Sequence, residues 1–199
     1  NPNGQKLTEQ TTPLSQIKYN DNSLSQEFII QTPTLWSPDM PALYSAETRL
    51  YEGDQLKDLY TTSFGIRSIE IIPNKGFFLN GEKTVFKGVC NDLGPLGAAV
   101  NDAAIRRQIR ILKDMGCNAI RTSHNMPAPE LVKACDEMGM MLMAESFDEW
   151  NKAKCANGYN LIFDEWVEKD LVNLVHHYRN NPSVVMWCVG NEVPNQWDE

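Results

Sequence analysis

Positive charge is in short supply in this 199-residue sequence: 18 lysines and arginines face 26 aspartates and glutamates, a net charge of −8. A phosphate backbone or an anionic membrane surface is bound through clustered Lys and Arg, so neither nucleic acid nor membrane is expected as a partner. Long apolar runs are missing too, and none approaches the ~20 residues of a membrane-spanning helix. The opening Asn1-Pro-Asn-Gly4 lacks the basic and apolar regions of a secretory leader. Because the chain does not begin with Met, a leader further upstream, and export with it, stays open. The five cysteines (Cys90, Cys117, Cys135, Cys155 and Cys188) are odd in number and contain no C-x-x-C pair. That weighs against a zinc site or a disulfide framework and leaves reduced, mostly buried thiols as the expectation.

What remains is 42% hydrophobic and of soluble, globular composition, enough for one domain or for parts of two. Residues 1–72 read as β. Short apolar or alternating runs at Gln26–Gln31, Ala42–Tyr51 and Tyr60–Ile72 are separated by Trp-Ser-Pro-Asp and Glu-Gly-Asp turns. Three or four strands are too few for a complete sandwich, so this is expected to be part of one.

From Pro73 the pattern changes. Phe77–Lys83 carries an Asn-Gly turn that predicts a hairpin, and apolar strands then alternate with amphipathic helices. Strands are expected at Val85–Cys90, Ala119–Ser123, Met141–Glu145 and Val184–Val189. Ile105, Ile109, Leu112 and Met115 share one helical face behind an Asn101 cap. Leu131, Val132, Cys135 and Met138 share another between Pro129 and Gly139, and a third helix runs from Asp164 to Tyr178 before Pro182. Parallel strands covered by helices follow, with a Rossmann sheet and a TIM barrel as the open choices. The first strand–helix connection, Asn91–Val100, has no G-x-G-x-x-G, which weighs against dinucleotide binding.

Polar residues gather at the expected C-terminal ends of these strands: Asn91-Asp92, His124-Asn125, Glu145 with Asp148, and Asn191-Glu192. TIM-barrel enzymes place their chemistry there. Glu192 closes the apolar run Val184–Gly190. A carboxylate at such a mouth is expected to be partly desolvated and able to hold a proton for a leaving oxygen, although capping a helix or pairing with Arg121 is the blander assignment. Asn191 suits a hydroxyl. Arg121, inside an apolar strand, needs a carboxylate; Glu145 is either that partner or a substrate ligand. His124 is more often structural than catalytic in such a place. Trp150, Trp187 and Trp197 either stack on sugar rings or pack the rim, and His176-His177 reads as solvated surface.

The ordered series Phe86-Lys-Gly-Val-Cys90, Gly116–Asn125, Ala134–Gly139, Glu145–Trp150, Arg179–Val184 and Trp187–Glu192 resembles glycoside hydrolase family 2, the β-galactosidase-like enzymes. The resemblance implies a retaining glycosidase with a carbohydrate substrate. The chain would hold the end of an immunoglobulin-like sandwich (residues 1–72) and the first half, four βα units, of a catalytic TIM barrel (residues 73–199). Glu192 would be the general acid/base and Asn191 the ligand of the sugar 2-hydroxyl. Asp92, His124, Glu145 and Trp150 would line the sugar pocket, with Arg121 supporting its carboxylates. The nucleophile of a two-carboxylate mechanism, at the end of a seventh strand, would lie outside the chain, so the isolated chain is expected to be inactive. A non-catalytic carbohydrate-binding or assembly half-barrel is the alternative, and open barrel edges would invite self-association.

The sequence departs from the family pattern at four places. The loop after the first barrel strand has no histidine and is short. Asn181 stands where the R-N-H-P turn has histidine, and Ala144 where an Asp precedes the third-strand Glu. Members that bind magnesium use Glu-x-His; here the stretch is Glu149-Trp-Asn151, so no metal and no cofactor is expected.

Overall fold

In a computed structural model the chain is described over residues 1–14, 24–91 and 100–193. Gly53, at φ +58°, turns a long hairpin of β1 (Tyr44–Glu52) and β2 (Gln55–Phe64). A second, three-stranded antiparallel sheet joins β3 (Ile69–Ile72), β4 (Gly76–Leu79) and β5 (Glu82–Lys83). Its β4–β5 turn is the expected Asn80-Gly81 pair, both with positive φ as a tight two-residue hairpin turn requires.

Two expectations fail in this region. Gln26–Gln31 forms no strand, and Ile29 is largely exposed. An extended segment becomes a strand only by finding a ladder partner, which apolar content alone does not supply. Tyr60–Ile72 is two strands in different sheets. Between them Gly65 presses against Pro182, where a Cβ would lie 2.5 Å from the proline ring, and Arg67 donates to the carbonyls of Pro182 and Val184, both at 2.6 Å.

The remaining strands are β6 (Gly88–Asn91), β7 (Ala119–Thr122), β8 (Met141–Glu145) and β9 (Val184–Cys188), all parallel and hydrogen-bonded in the order of the sequence. A doubly wound sheet reverses its strand order; a barrel does not. These four strands with α1 (Asp102–Asp114), α2 (Pro129–Met138) and α3 (Phe163–Tyr178) are half of a (β/α)8 barrel.

Local chemistry sets the helix ends. The Asn101 side chain accepts from Ala104 N at 3.1 Å, satisfying one of the free N–H groups of the first turn of α1. Pro129 opens α2, where its missing N–H costs nothing, and Gly139 at φ +71° closes it. Ile105, Ile109, Leu131, Val132, Cys135, Leu174 and Tyr178 pack on Ile120, Leu142, Ala144 and Val184 as the core between helices and sheet. Fully burying each Ile, Leu or Val side chain of this core stabilises the fold by about 1.5–3 kcal/mol. Met115, expected on the buried face of α1, is 71% exposed because it lies beyond the last helical turn, at the cap. The five cysteines are free, as expected, but only Cys135 is buried, and Cys90 and Cys155 are exposed.

The other face of the sheet is closed at its N-terminal end. Trp36, wholly buried, joins Phe77 and Leu79 against Ala119, Met141 and Val185. Its indole N–H donates to the Asp136 carbonyl at 2.9 Å, and Lys113 Nζ ties Pro38, Met138 and Gly139 through their carbonyls.

Candidate active site

Side chains alternate along a strand, so Ile120, Leu142 and Ala144 turn to the helices while Arg121 and Glu145 turn together to the other side. The Glu145 carboxylate has no exposed surface. One oxygen accepts from Arg121 Nε and the other lies 2.7 Å from His124 Nδ1, while the backbone N–H of Glu145 donates to Thr122 Oγ1 at 2.9 Å. Of the alternatives for Glu145, the structure gives the buried partner of Arg121. The bond to Glu145 raises the pKa of Arg121 above its already high ordinary value, so the guanidinium stays charged against this carboxyl group.

Arg121 reaches further. Its Nη2 donates to Asn191 Oδ1 at 3.1 Å, and Asn191 Nδ2 donates to Asp148 Oδ1 at 3.0 Å. The Asn191 backbone N–H bonds to the Phe147 carbonyl at 2.9 Å. Both ends of the amide are therefore assigned, with one N–H and one lone pair left for a ligand. The bond from Asn191, with help from Lys154, holds the Asp148 carboxyl below the usual carboxylate range.

Glu192 follows at φ +47°, a left-handed backbone rarely adopted by a side-chain-bearing residue and maintained only where surrounding contacts fix it. Its side chain is 77% exposed and pairs with Lys154, Nζ to Oε2 3.2 Å. The expectation of a partly desolvated carboxylate is corrected here, as is Arg121 as its structural partner. The apolar strand ends at Cys188, and Glu192 projects beyond it with only β8 as a paired neighbour of β9 among the described residues.

A loop that sequence patterns did not single out supplies Lys154. Its Nζ also lies 3.1 Å from Asp148 Oδ1. The loop is built around Glu149, whose buried carboxylate accepts the backbone N–H groups of Asn160 (3.0 Å), Lys154 and Cys155 (3.2 Å). The N–H of Asn160 first, and those of its neighbours, hold the Glu149 carboxyl below the ordinary range. Gly158 lies so close that a Cβ would overlap Glu149 Oε2, at 1.7 Å. No periodicity marks a loop lysine, so the sequence carries no local signal for Lys154.

Trp150 is half-buried. Its indole N–H donates to the Val189 carbonyl at 3.1 Å, and its ring lies 5.1 Å from that of Phe163 and against Gly190, where a Cβ would come within 2.1 Å of Nε1. It braces the turn that carries Asn191 and Glu192. Trp187 is partly exposed, and His176 and His177 are exposed as expected. Asp92 and Trp197 lie outside the described residues. Among the described residues no group of three or more His, Cys, Asp or Glu is arranged to hold a metal ion. A cavity of about 230 Å³, lined by residues including Gly65, Arg67, Arg179 and Pro182, sits at the opposite, N-terminal end of β9 and has no part in this constellation.

Residues 70–198 match the family model described as "Glycosyl hydrolases family 2, TIM barrel domain", and residues 1–67 match "Glycosyl hydrolases family 2". The chain is 49% identical over 177 residues to the beta-galactosidase BoGH2A of Bacteroides ovatus, covering 88% of this chain and 21% of that protein. It is 41% identical over 170 residues to a putative beta-glucuronidase of Formosa agariphila, covering 84% and 16%. Among solved structures it is similar to a beta-glycosidase from Bacteroides vulgatus, with a TM-score of 0.77 and 44% identity over 80% of this chain and 21% of that one. The chain thus spans about a fifth of the length of these relatives.

Proposed function

The chain belongs to glycoside hydrolase family 2, and we propose that it is the acid/base half of the active site of a retaining β-glycosidase. Residues 1–72 are then part of the sandwich that precedes the barrel, and residues 73–199 its first half. One observation carries this reading. An unbroken line of polar contacts runs His124–Glu145–Arg121–Asn191–Asp148–Lys154–Glu192 across the ends of β7, β8 and β9 and ends on the exposed carboxylate.

In this reading Glu192 gives its proton to the leaving glycosidic oxygen as a carboxylate from the other half of the barrel attacks the anomeric carbon. Glu192 then takes a proton from the water that releases the sugar, with retention. Exposure suits both steps, since leaving group and water arrive from the open side. Asn191 offers its remaining N–H and lone pair to the 2-hydroxyl, held in place by Arg121 and Asp148. Arg121, Glu145 and His124 make a floor that cannot shift without unpairing a buried charge, and Trp150 stands beside the pocket.

A neutral glycon, and a β-galactoside first, is supported by two considerations. The three carboxylates Glu145, Asp148 and Glu192 outnumber the cations Arg121 and Lys154 in the line of contacts. The identity to a beta-galactosidase also exceeds that to a beta-glucuronidase. The test is hydrolysis of 4-nitrophenyl β-galactoside and β-glucuronide by the protein carrying a complete barrel, with the anomer released followed by NMR. The β-anomer from the galactoside is expected; first release of the α-anomer contradicts the retaining mechanism.

A further inference from the structure

Lys154 does not have the setting of an ordinary surface lysine. Its own backbone N–H is bonded to the buried Glu149 carboxylate, and the next residue's N–H bonds to the same group. The loop is pinned a second time where the Tyr159 ring stacks on Phe147, centroids 4.5 Å apart, next to the strand-end segment that holds Asn191. From this anchored backbone the ammonium reaches Asp148 and Glu192 together, 3.1 and 3.2 Å away. Asp148 is in turn tied to Asn191. The ammonium thus fixes the carboxylate of Glu192 to the same framework that fixes the Asn191 amide. As an exposed ion pair it contributes little to stability, so its effect is on geometry.

We infer that Lys154, held by the Glu149-centred loop, is a positioning residue for the Glu192 carboxylate. This rests on Glu192 being the acid/base. Without the ammonium, a mostly exposed glutamate side chain at a left-handed backbone position samples other rotamers, and proton delivery to the leaving oxygen becomes less frequent. Only glycosides whose leaving group needs that proton suffer.

The experiment uses the protein with its complete barrel and two β-galactosides, one with a phenol leaving group and one with 2,4-dinitrophenol, which departs without protonation. Lys154→Met is expected to lower kcat/KM for the phenyl glycoside about tenfold, a fraction of the ~10²–10⁴ that a general acid supplies. The dinitrophenyl glycoside is expected to change less than twofold. Lys154→Arg should restore most of the loss, and Glu149→Gln should reproduce the selectivity by loosening the loop. Equal losses on both substrates, or none on either, overturn the inference. Glu192→Gln serves as the reference. If it is selective and Lys154→Met is not, only the inference about Lys154 fails; if Glu192→Gln is itself unselective, the assignment of the acid/base has failed.

Discussion

Arg121 on the second barrel strand holds Asn191 at the end of the fourth, Nη2 to Oδ1 3.1 Å, while its Nε binds the buried Glu145 between them. One planar guanidinium thus sets the distance between three strand ends. A lysine, with a single charged nitrogen, cannot repeat that fork. Arg121→Lys is expected to keep the fold and lower kcat by about 10²-fold through loss of the Asn191 position. Arg121→Met, which leaves Glu145 buried with His124 alone, is expected to cost about 3 kcal/mol in urea unfolding. Wild-type kcat in Arg121→Lys would break the link between this bond and the site.

Gly139 closes α2 where a Cβ would lie 2.2 Å from the Pro38 carbonyl oxygen. Gly139→Ala meets both that backbone atom and an unfavourable φ, and is expected to lose at least ~2 kcal/mol. Gly139→Asn should do no better, since asparagine tolerates the φ but brings the same Cβ. Thermal melts separate the causes: rescue by Asn would mean that φ, not contact with Pro38, is what matters.

Asp136 supplies a pH signature. Burial pushes its carboxyl pKa up, against the bonds it accepts from Ser183 N (3.0 Å) and Asn181 Nδ2 (2.6 Å). A raised carboxyl binds its proton more tightly folded than unfolded, so its contribution to stability is present below the ordinary value near pH 4 and lost as pH rises through the raised one. Relative to Asp136→Asn, the wild-type urea midpoint is therefore expected to fall as pH rises above about 4. A flat or rising difference would contradict the burial effect.

The outer edges of β6 and β9 have no strand partner among the described residues. Unpaired edges of this kind add strands. The isolated 199-residue chain is expected to sediment as dimers or larger species and to show no turnover of β-galactosides. A sharp monomer boundary would contradict the first expectation, and hydrolysis abolished by Glu192→Gln the second.

The parts of this fold legible in the sequence were those with a local cause. Asn101, Pro129 and Gly139 act within one turn, and Asn80-Gly81 within one hairpin, so their effects could be read from neighbouring residues. Strand ends were legible because an apolar run stops abruptly in polar residues, which singled out His124, Glu145 and Asn191 before their contacts were known. Pairings between distant segments were not. Trp36 under the sheet, Arg67 on Val184 and Lys154 on Glu192 join residues 100, 117 and 38 positions apart. Nothing in the immediate sequence distinguishes these side chains from any other Trp, Arg or Lys. The exposure of Glu192 is not legible for the same reason, since the apolarity of a strand says nothing of what surrounds the residue past its end.

The most direct test of Glu192 as the acid/base is azide rescue of Glu192→Ala in the protein with its complete barrel, using 2,4-dinitrophenyl β-galactoside. With the carboxylate gone, the glycosyl-enzyme still forms but water attacks it slowly, and the small anion needs no general base. Azide is expected to raise kcat at least tenfold, with β-galactosyl azide as the product. No acceleration, or an α-azide, would contradict the assignment.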